Sequence, residues 1–196
     1  MQEDKQKRNG RWKMFGVLAI CAAPMIVSYF TYYVIKPESR TNYGTLIDPS
    51  AHPIPALGTK GLDGSSIGLD AYKGKWIMLQ VDQADCNAYC QKKLYEMRQL
   101  RLTQGKERDR VERVWLITDD TPLETMLIRE YDGTHMLRVK PEAVNAWLPV
   151  EAGTSTADHI YMIDPLGNLM MRFPKDADPN KIKKDISKLL RASSIG

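Results

Sequence analysis

The stretch Lys75 to Cys90, KWIMLQVDQADCNAYC, decides the fold. Trp76 to Val81 is an apolar run of strand character, and Asp82 to Asp85 makes a short polar turn. Cys86 and Cys90 follow, four positions apart, where a helix opens that runs to about Gln104. Residues i and i+4 of a helix share a face, with Cβ atoms about 6 Å apart. Two thiols so placed suit one soft metal ion, or a disulfide if the first turn distorts.

A strand, a turn and a cysteine pair opening a helix is how thioredoxin-like folds present thiols. The usual redox spacing there has two residues between the cysteines; here there are three. Beyond the helix, Gly105 to Arg110 reads as a charged loop and Val111 to Thr118 as a second core strand. Val114-Trp115-Leu116-Ile117 within it is a continuous apolar run suited to a buried strand. Strand, helix, strand of this length implies a right-handed parallel crossover. Asp119-Asp120-Thr121-Pro122 has the form of a helix start, with Asp120 or Thr121 as cap and Pro122 at the first position. That helix should run to about Tyr131 and stop at Gly133. Met136 to Val139 suits a short strand and Pro141 to Leu148 a short helix. Ile160 to Ile163 and Leu169 to Phe173 flank the turn sequence Asp164-Pro165-Leu166-Gly167-Asn168, a hairpin signal. Asp178 to Arg191 closes the chain as an amphipathic helix, with Ile182, Ile186, Leu189 and Leu190 on its apolar face. The expected fold class is α/β: a thioredoxin-like domain over residues 65–196, with a central mixed sheet flanked by helices.

The N-terminal part is of a different kind. Residues 1–13 are polar and basic and are expected to be a disordered cytoplasmic tail. Residues 14–35 are 22 positions without a charge, long enough to span a bilayer as a helix, with Pro24 tolerated inside it. Trp12 at one end and Tyr29, Tyr32 and Tyr33 at the other suit the two interfaces, and the basic flank places the N-terminus in the cytoplasm. A cleaved signal peptide has a shorter apolar core and a small-residue cleavage site, so an uncleaved anchor fits better. Cys21 is then a small apolar residue within the span. Residues 36–64, with four prolines and four glycines, read as an extended linker docking onto the domain, and Ser65 to Leu69 as a short edge strand. The net charge of +4 arises in residues 1–36; residues 37–196 hold 22 basic and 22 acidic side chains. Nucleic acid is therefore a poor partner for the folded part.

With these residues in view, the chain resembles the Sco/SenC family from about Leu57 to Arg191, as a divergent member. The resemblance rests on Cys86 and Cys90 after the first core strand, on Asp120-Thr121-Pro122 after the second, on Tyr161-Met162-Ile163-Asp164-Pro165 at the hairpin, and on the single anchor. It implies a thioredoxin-like protein of the bacterial inner membrane, with its domain in the periplasm. That protein would handle Cu(I) in cytochrome c oxidase assembly and have an oxidase subunit or other assembly factors as partners. Where the family has proline after each cysteine, this chain has Asn87 and Gln91, and Val81-Asp82-Gln83-Ala84 replaces the family's aromatic lead-in. The family's ligand histidine falls at Thr156, while an Asp-His pair stands three residues later as Asp158-His159. The resemblance thus implies a metal set of Cys86, Cys90 and His159, with His159 in the loop only if that loop is three residues shorter.

Cu(I) is soft, prefers thiolate and accepts imidazole as a third ligand, so that set makes chemical sense. A helix N-terminus favours the deprotonated thiols such binding needs, while Asp85 beside Cys86 works against it. The simpler reading of the cysteines is a structural disulfide, which would close too small a loop to stabilise much. The simpler reading of His159 is a polar residue capping a strand end; His52 and His135 stand near no candidate site; Met162, Met170 and Met171 suit packing. Three functions stay open: copper handling in oxidase assembly, thiol–disulfide exchange without copper through a redox pair Cys86 and Cys90, and a catalytically silent assembly partner.

Overall fold

Strand β3 (Trp76–Asp82) lies in the middle of a seven-stranded sheet of order β1-β7-β6-β3-β4-β5-β2. This computed structural model describes residues 2–31, 33 and 42–195. The strands are β1 (Thr45–Leu46), β2 (Lys60–Gly61), β3, β4 (Val111–Ile117), β5 (Thr134–Arg138), β6 (Ile160–Ile163) and β7 (Leu169–Arg172). The helices are α1 (Gln2–Phe30), α2 (Ala88–Leu102), α3 (Thr125–Glu130), α4 (Pro141–Trp147) and α5 (Pro179–Ala192). β3 runs parallel to β4, and β4 to β5; every other pairing is antiparallel. This is the expected mixed sheet with its parallel crossover through α2.

Alternation along β3 divides the core. Ile77, Leu79 and Val81 face a layer that includes Val114 and Leu116 of β4, Val144 of α4 and Trp147. Trp76 and Met78 face the opposite layer, built from Met97 and Leu100 of α2 and Ile182, Ile186 and Leu190 of α5. Both faces are covered, which is why Trp76 to Val81 is apolar at every position but Gln80. α5 matches its expected apolar stripe, except that Leu189 is only partly buried.

Three boundaries differ from the sequence expectation. Residues 42–64 do not link but belong to the domain: the two compact units of the chain divide between Thr41 and Asn42. The Tyr43 and Gly44 amides donate to Asp185 Oδ2 at 2.7 and 2.9 Å, and β1 pairs with β7. A side chain at Gly44 would meet Met171 Cγ at 2.7 Å, so this close approach requires glycine. The edge strand on the other side is Lys60–Gly61, not Ser65 to Leu69; residues 69–72 form a 3-10 turn. The Asp-Thr-Pro stretch opens no helix. Arg138 donates to the Asp119 and Thr121 carbonyls at 2.6 and 2.8 Å, which holds the loop extended, and α3 starts only at Thr125.

The N-terminal unit contains α1, which begins at Gln2 and so includes the basic stretch expected to be disordered. It carries Pro24 within it and is apolar enough from Lys13 to Phe30 to cross a membrane. Tyr32 and residues 34–41, where the expected span ends and the expected linker begins, lie outside the described residues.

Candidate functional site: the Cys86–Cys90 disulfide

Cys86 and Cys90 are joined by a disulfide, with Cα atoms 5.1 Å apart. The geometry resolves the question of the distorted first turn. Asn87 is the cap of α2: its Oδ1 accepts from the Tyr89 and Cys90 amides, both at 3.0 Å, so the helix starts at Ala88. Cys90 lies in the first turn, and Cys86 lies outside the helix with φ of 26°. A positive φ at a residue with a Cβ is strained and is held only by its surroundings. Those surroundings are specific. Cys86 N donates to the Gln83 carbonyl at 3.2 Å, the Ala84 amide donates to Asp119 Oδ1 at 3.0 Å, and Gln91 Nε2 donates to the Cys86 carbonyl at 2.9 Å. Tyr131 Oη donates to the Gln91 carbonyl at 3.2 Å, which ties α3 to the same turn.

Both cysteines are buried, at 1% and 0% exposure, although Asp85, Asn87 and Ala88 around them are exposed. They share a cluster with Leu94, Trp115, Ile117, Leu127 and Tyr131. One polar side chain enters this apolar setting from β3. Gln80 is fully buried, and its Nε2 lies 3.2 Å from both Cys90 O and Cys90 Sγ. A carbonyl oxygen and a disulfide sulfur can only accept, so the amide nitrogen must face them. Gln80 Oε1 is then left buried without a partner, at a cost of about 1–3 kcal/mol.

A second buried polar group lies on the next face of α2. Lys93, 3% exposed, donates to Asp82 Oδ2 at 3.1 Å and to the Ala157 carbonyl. Burial pulls its pKa down, against the opposing pull of Asp82. Tyr89 Oη donates to the Asp158 carbonyl at 3.3 Å. These contacts fasten the 155–158 turn to α2 and fix where His159 goes.

His159 is not brought to the cysteines. Its ring is fully buried: Nδ1 donates to the Phe173 carbonyl at 2.8 Å, and Nε2 lies 2.7 Å from Thr154 Oγ1. Burial lowers its pKa. The turn at Thr156–Asp158 is a short 3-10 segment, so neither an extended strand nor a shortened loop directs the ring over α2. Thr156, at the family's histidine position, is also buried and donates to Asn145 Oδ1 at 3.1 Å. Among the described residues no group of three His, Cys, Asp or Glu side chains could hold a metal ion. The side chains of His159 and Thr156 have hydrogen-bond partners other than the cysteine pair. The sequence assigns Gln80, Asp119 and Lys93 no role at the site; Gln80 alone carries a signal, as an amide inside an otherwise apolar strand.

A parallel crossover with a cysteine pair at its helix start, on a mixed sheet, defines a thioredoxin-like thiol protein. Comparisons with known proteins agree. Residues 76–193 match the family model of the transmembrane-like, thioredoxin-like C-terminal domain, and residues 3–34 match its transmembrane-like N-terminal domain. The chain belongs to this transmembrane-like, thioredoxin-like family. No curated protein matches it. Among solved structures, BsSco, a Sco-family cytochrome c oxidase assembly protein with an identified disulfide switch, aligns with a TM-score of 0.55 and 14% identity, over 74% of this chain and 98% of BsSco. Copper-bound ScoI of Arabidopsis thaliana aligns with a TM-score of 0.52 and 19% identity, over 70% and 100% of the two chains. The thioredoxin domain of a Bacteroides vulgatus thiol-disulfide oxidoreductase aligns with a TM-score of 0.53 and 18% identity, over 74% and 99%. The resemblance to Sco proteins thus holds as a likeness of fold, shared with thiol–disulfide oxidoreductases.

Proposed function

We propose that this chain is a membrane-anchored thiol–disulfide exchange protein. It would act from the periplasmic face of a bacterial inner membrane on the copper-site thiols of a partner in cytochrome c oxidase assembly. The observation that carries the reading is the closed Cys86–Cys90 pair, with one sulfur outside the helix and the other in its first turn. A partner thiolate attacks one sulfur of the pair, forms a mixed disulfide and expels the other as thiolate. The partner's second thiolate then releases the chain, so the partner dithiol becomes a disulfide and Cys86–Cys90 becomes a dithiol, by two electrons. Run in reverse, the same steps reduce a partner disulfide. The small loop closed by the bond speaks against a purely structural role, because it constrains little of the unfolded chain.

A second reading is Cu(I) as cargo. It is supported by the convergence of the two sulfurs, which on reduction would offer two thiolates to one soft ion. With His159 bonded to Phe173 and Thr154, a third ligand would come from the partner. The test uses the full chain in detergent with Cys21 replaced by serine. Thiol counting should change by two between oxidising and reducing conditions, and the Cys86 thiolate of Cys90→Ser should be trapped as a mixed disulfide by a peptide whose two copper-site cysteines are joined in a disulfide, one peptide sulfur leaving as thiolate. Anaerobic Cu(I) titration of the reduced chain separates the readings: one equivalent retained against a competing chelator supports cargo. A pair that no dithiol reduces, together with no Cu(I) uptake, defeats both.

A further inference from the structure

The exchange chemistry proposed above leaves open which sulfur forms the bond to the partner and what the other rests on when it leaves. From the contacts of β3, we infer that Gln80 is the catalytic hydrogen-bond donor to the leaving Cys90 thiolate, so that Cys86 is the sulfur that joins the partner. The inference rests on the exchange reading.

Gln80 is the residue of β3 that pairs in register with Trp115 of β4, and Trp115 lies in the cluster that holds the disulfide. Its amide nitrogen is 3.2 Å from Cys90 Sγ. A disulfide sulfur is a weak acceptor, whereas a thiolate is a charged one, and hydrogen bonds to charged groups are much the stronger. The contact is therefore worth more in the reduced state than in the oxidised state, and it grows as the S–S bond breaks. Nothing comparable reaches Cys86 Sγ in the hydrogen bonds of this turn; the amide of Gln91 goes to the Cys86 carbonyl. The Cys90 amide, by contrast, is already spent on the Asn87 cap, so it leaves thiolate stabilisation to the Gln80 side chain. Position adds a second argument. Cys90 is enclosed in the helix, while Cys86 stands outside it between exposed Asp85 and Asn87 on a strained backbone. Opening that turn uncovers Cys86 first. Attack at Cys86 Sγ then places the departing electron pair on Cys90 Sγ, under the Gln80 amide.

The orphaned Oε1 supports the same assignment. A methionine or leucine at this site would fill the apolar space without a stranded acceptor, so the amide costs the folded state something unless its nitrogen serves a charge. That charge exists only when the pair is reduced.

The experiment compares the full chain in detergent, with Cys21 replaced by serine, to Gln80→Met and Gln80→Asn. The first removes the donor at similar length, and the second keeps an amide too short to reach; if one fails to fold, the other carries the test. In each, the disulfide is equilibrated with dithiothreitol buffers. Loss of the donor should make the pair about tenfold or more harder to reduce, about 30 mV more negative for a two-electron couple. In Cys86→Ser chains, the pH dependence of Cys90 alkylation should shift upward on the same substitutions, which a packing role would not cause. With glutathione disulfide as probe, Cys90→Ser should form its adduct through Cys86 at least tenfold faster than Cys86→Ser forms one through Cys90. Unchanged equilibria and alkylation profiles with a reducible parent overturn the role of Gln80 and leave the exchange reading standing. Faster reaction at Cys90 overturns the assignment of the sulfurs. A parent pair that dithiothreitol cannot reduce overturns the exchange reading and this inference together.

Discussion

At the scale of the residue, His159 is a buried hydrogen-bonding group of the hairpin. His159→Ala strands the Phe173 carbonyl and opens a hole beside Tyr161, whose ring it meets edge-on at 5.9 Å. The variant should lose about 1–3 kcal/mol of unfolding free energy in urea, while Cu(I) retention by the reduced chain stays within twofold of the parent. A tenfold fall in retention would restore the ligand role that the resemblance implies. Asp158 carries a pH signature. The Ser155 amide and then the Lys175 ammonium, at 2.9 Å, hold its carboxyl down to about 2. In the unfolded chain the same group titrates near 3.9. Its contribution to stability is therefore complete above about pH 5 and is lost as pH falls through about 2. Unfolding free energies measured from pH 6 to pH 2 should fall less steeply in Asp158→Asn than in the parent. The cysteines themselves were plain in the sequence, but His159 was not. Its loop conformation depends on Lys93 and Tyr89 reaching over from α2, and a lysine on a helix reads as a solvated residue until its burial is seen.

At the scale of the element, the start of α2 is the decisive detail. A spacing of four predicts both cysteines on one helix face, but the cap falls between them at Asn87. The sequence carries that information, because asparagine is among the best caps and stands directly after Cys86. Asn87→Ala should cost about 1 kcal/mol of stability, and the oxidised and reduced forms should lose it unequally, since the cap sets the helix boundary between the two cysteines. Thermal unfolding of both forms measures the difference; equal losses would show that the cap and the disulfide are uncoupled. The Asp-Thr-Pro loop is the other instructive element. Its helix-start composition was legible, but Arg138 on β5 captures its carbonyls. Long-range capture of a short motif leaves no local mark. The strands, by contrast, were readable throughout the core because continuous or alternating apolar runs fix them locally.

At the scale of the whole molecule, the two units of the chain pose a question of topology. Basic residues precede an apolar helix and the compact domain follows it, so the domain should lie across the membrane from the N-terminus. A reporter fused after residue 196 should be active only if its activity requires export. Cytoplasmic activity, or a mature N-terminus beyond residue 35, would sink that orientation. The domain limits were only partly legible: prolines and glycines in residues 42–64 suggest an extended segment docked onto the domain, and backbone pairing with β7 and β5 draws parts of it into the sheet.

That pairing has a further meaning for a chain confined to a surface. Molecules anchored in a bilayer meet their own copies at a density far above that in solution, and an open sheet rim is an invitation to stack. Here one short stretch of chain reaches both rims: Thr45–Leu46 closes one and Lys60–Gly61 the other. Each cover is only two residues long, and one carries a lysine, so the new outer rims are too short and too polar to template growth. Deleting residues 42–61 would uncover Met171 and Arg172 of β7 and Leu137 and Arg138 of β5. Light scattering of the truncated chain in micelles should reveal larger assemblies than the full chain forms; equal sizes would show that the segment does not restrain stacking.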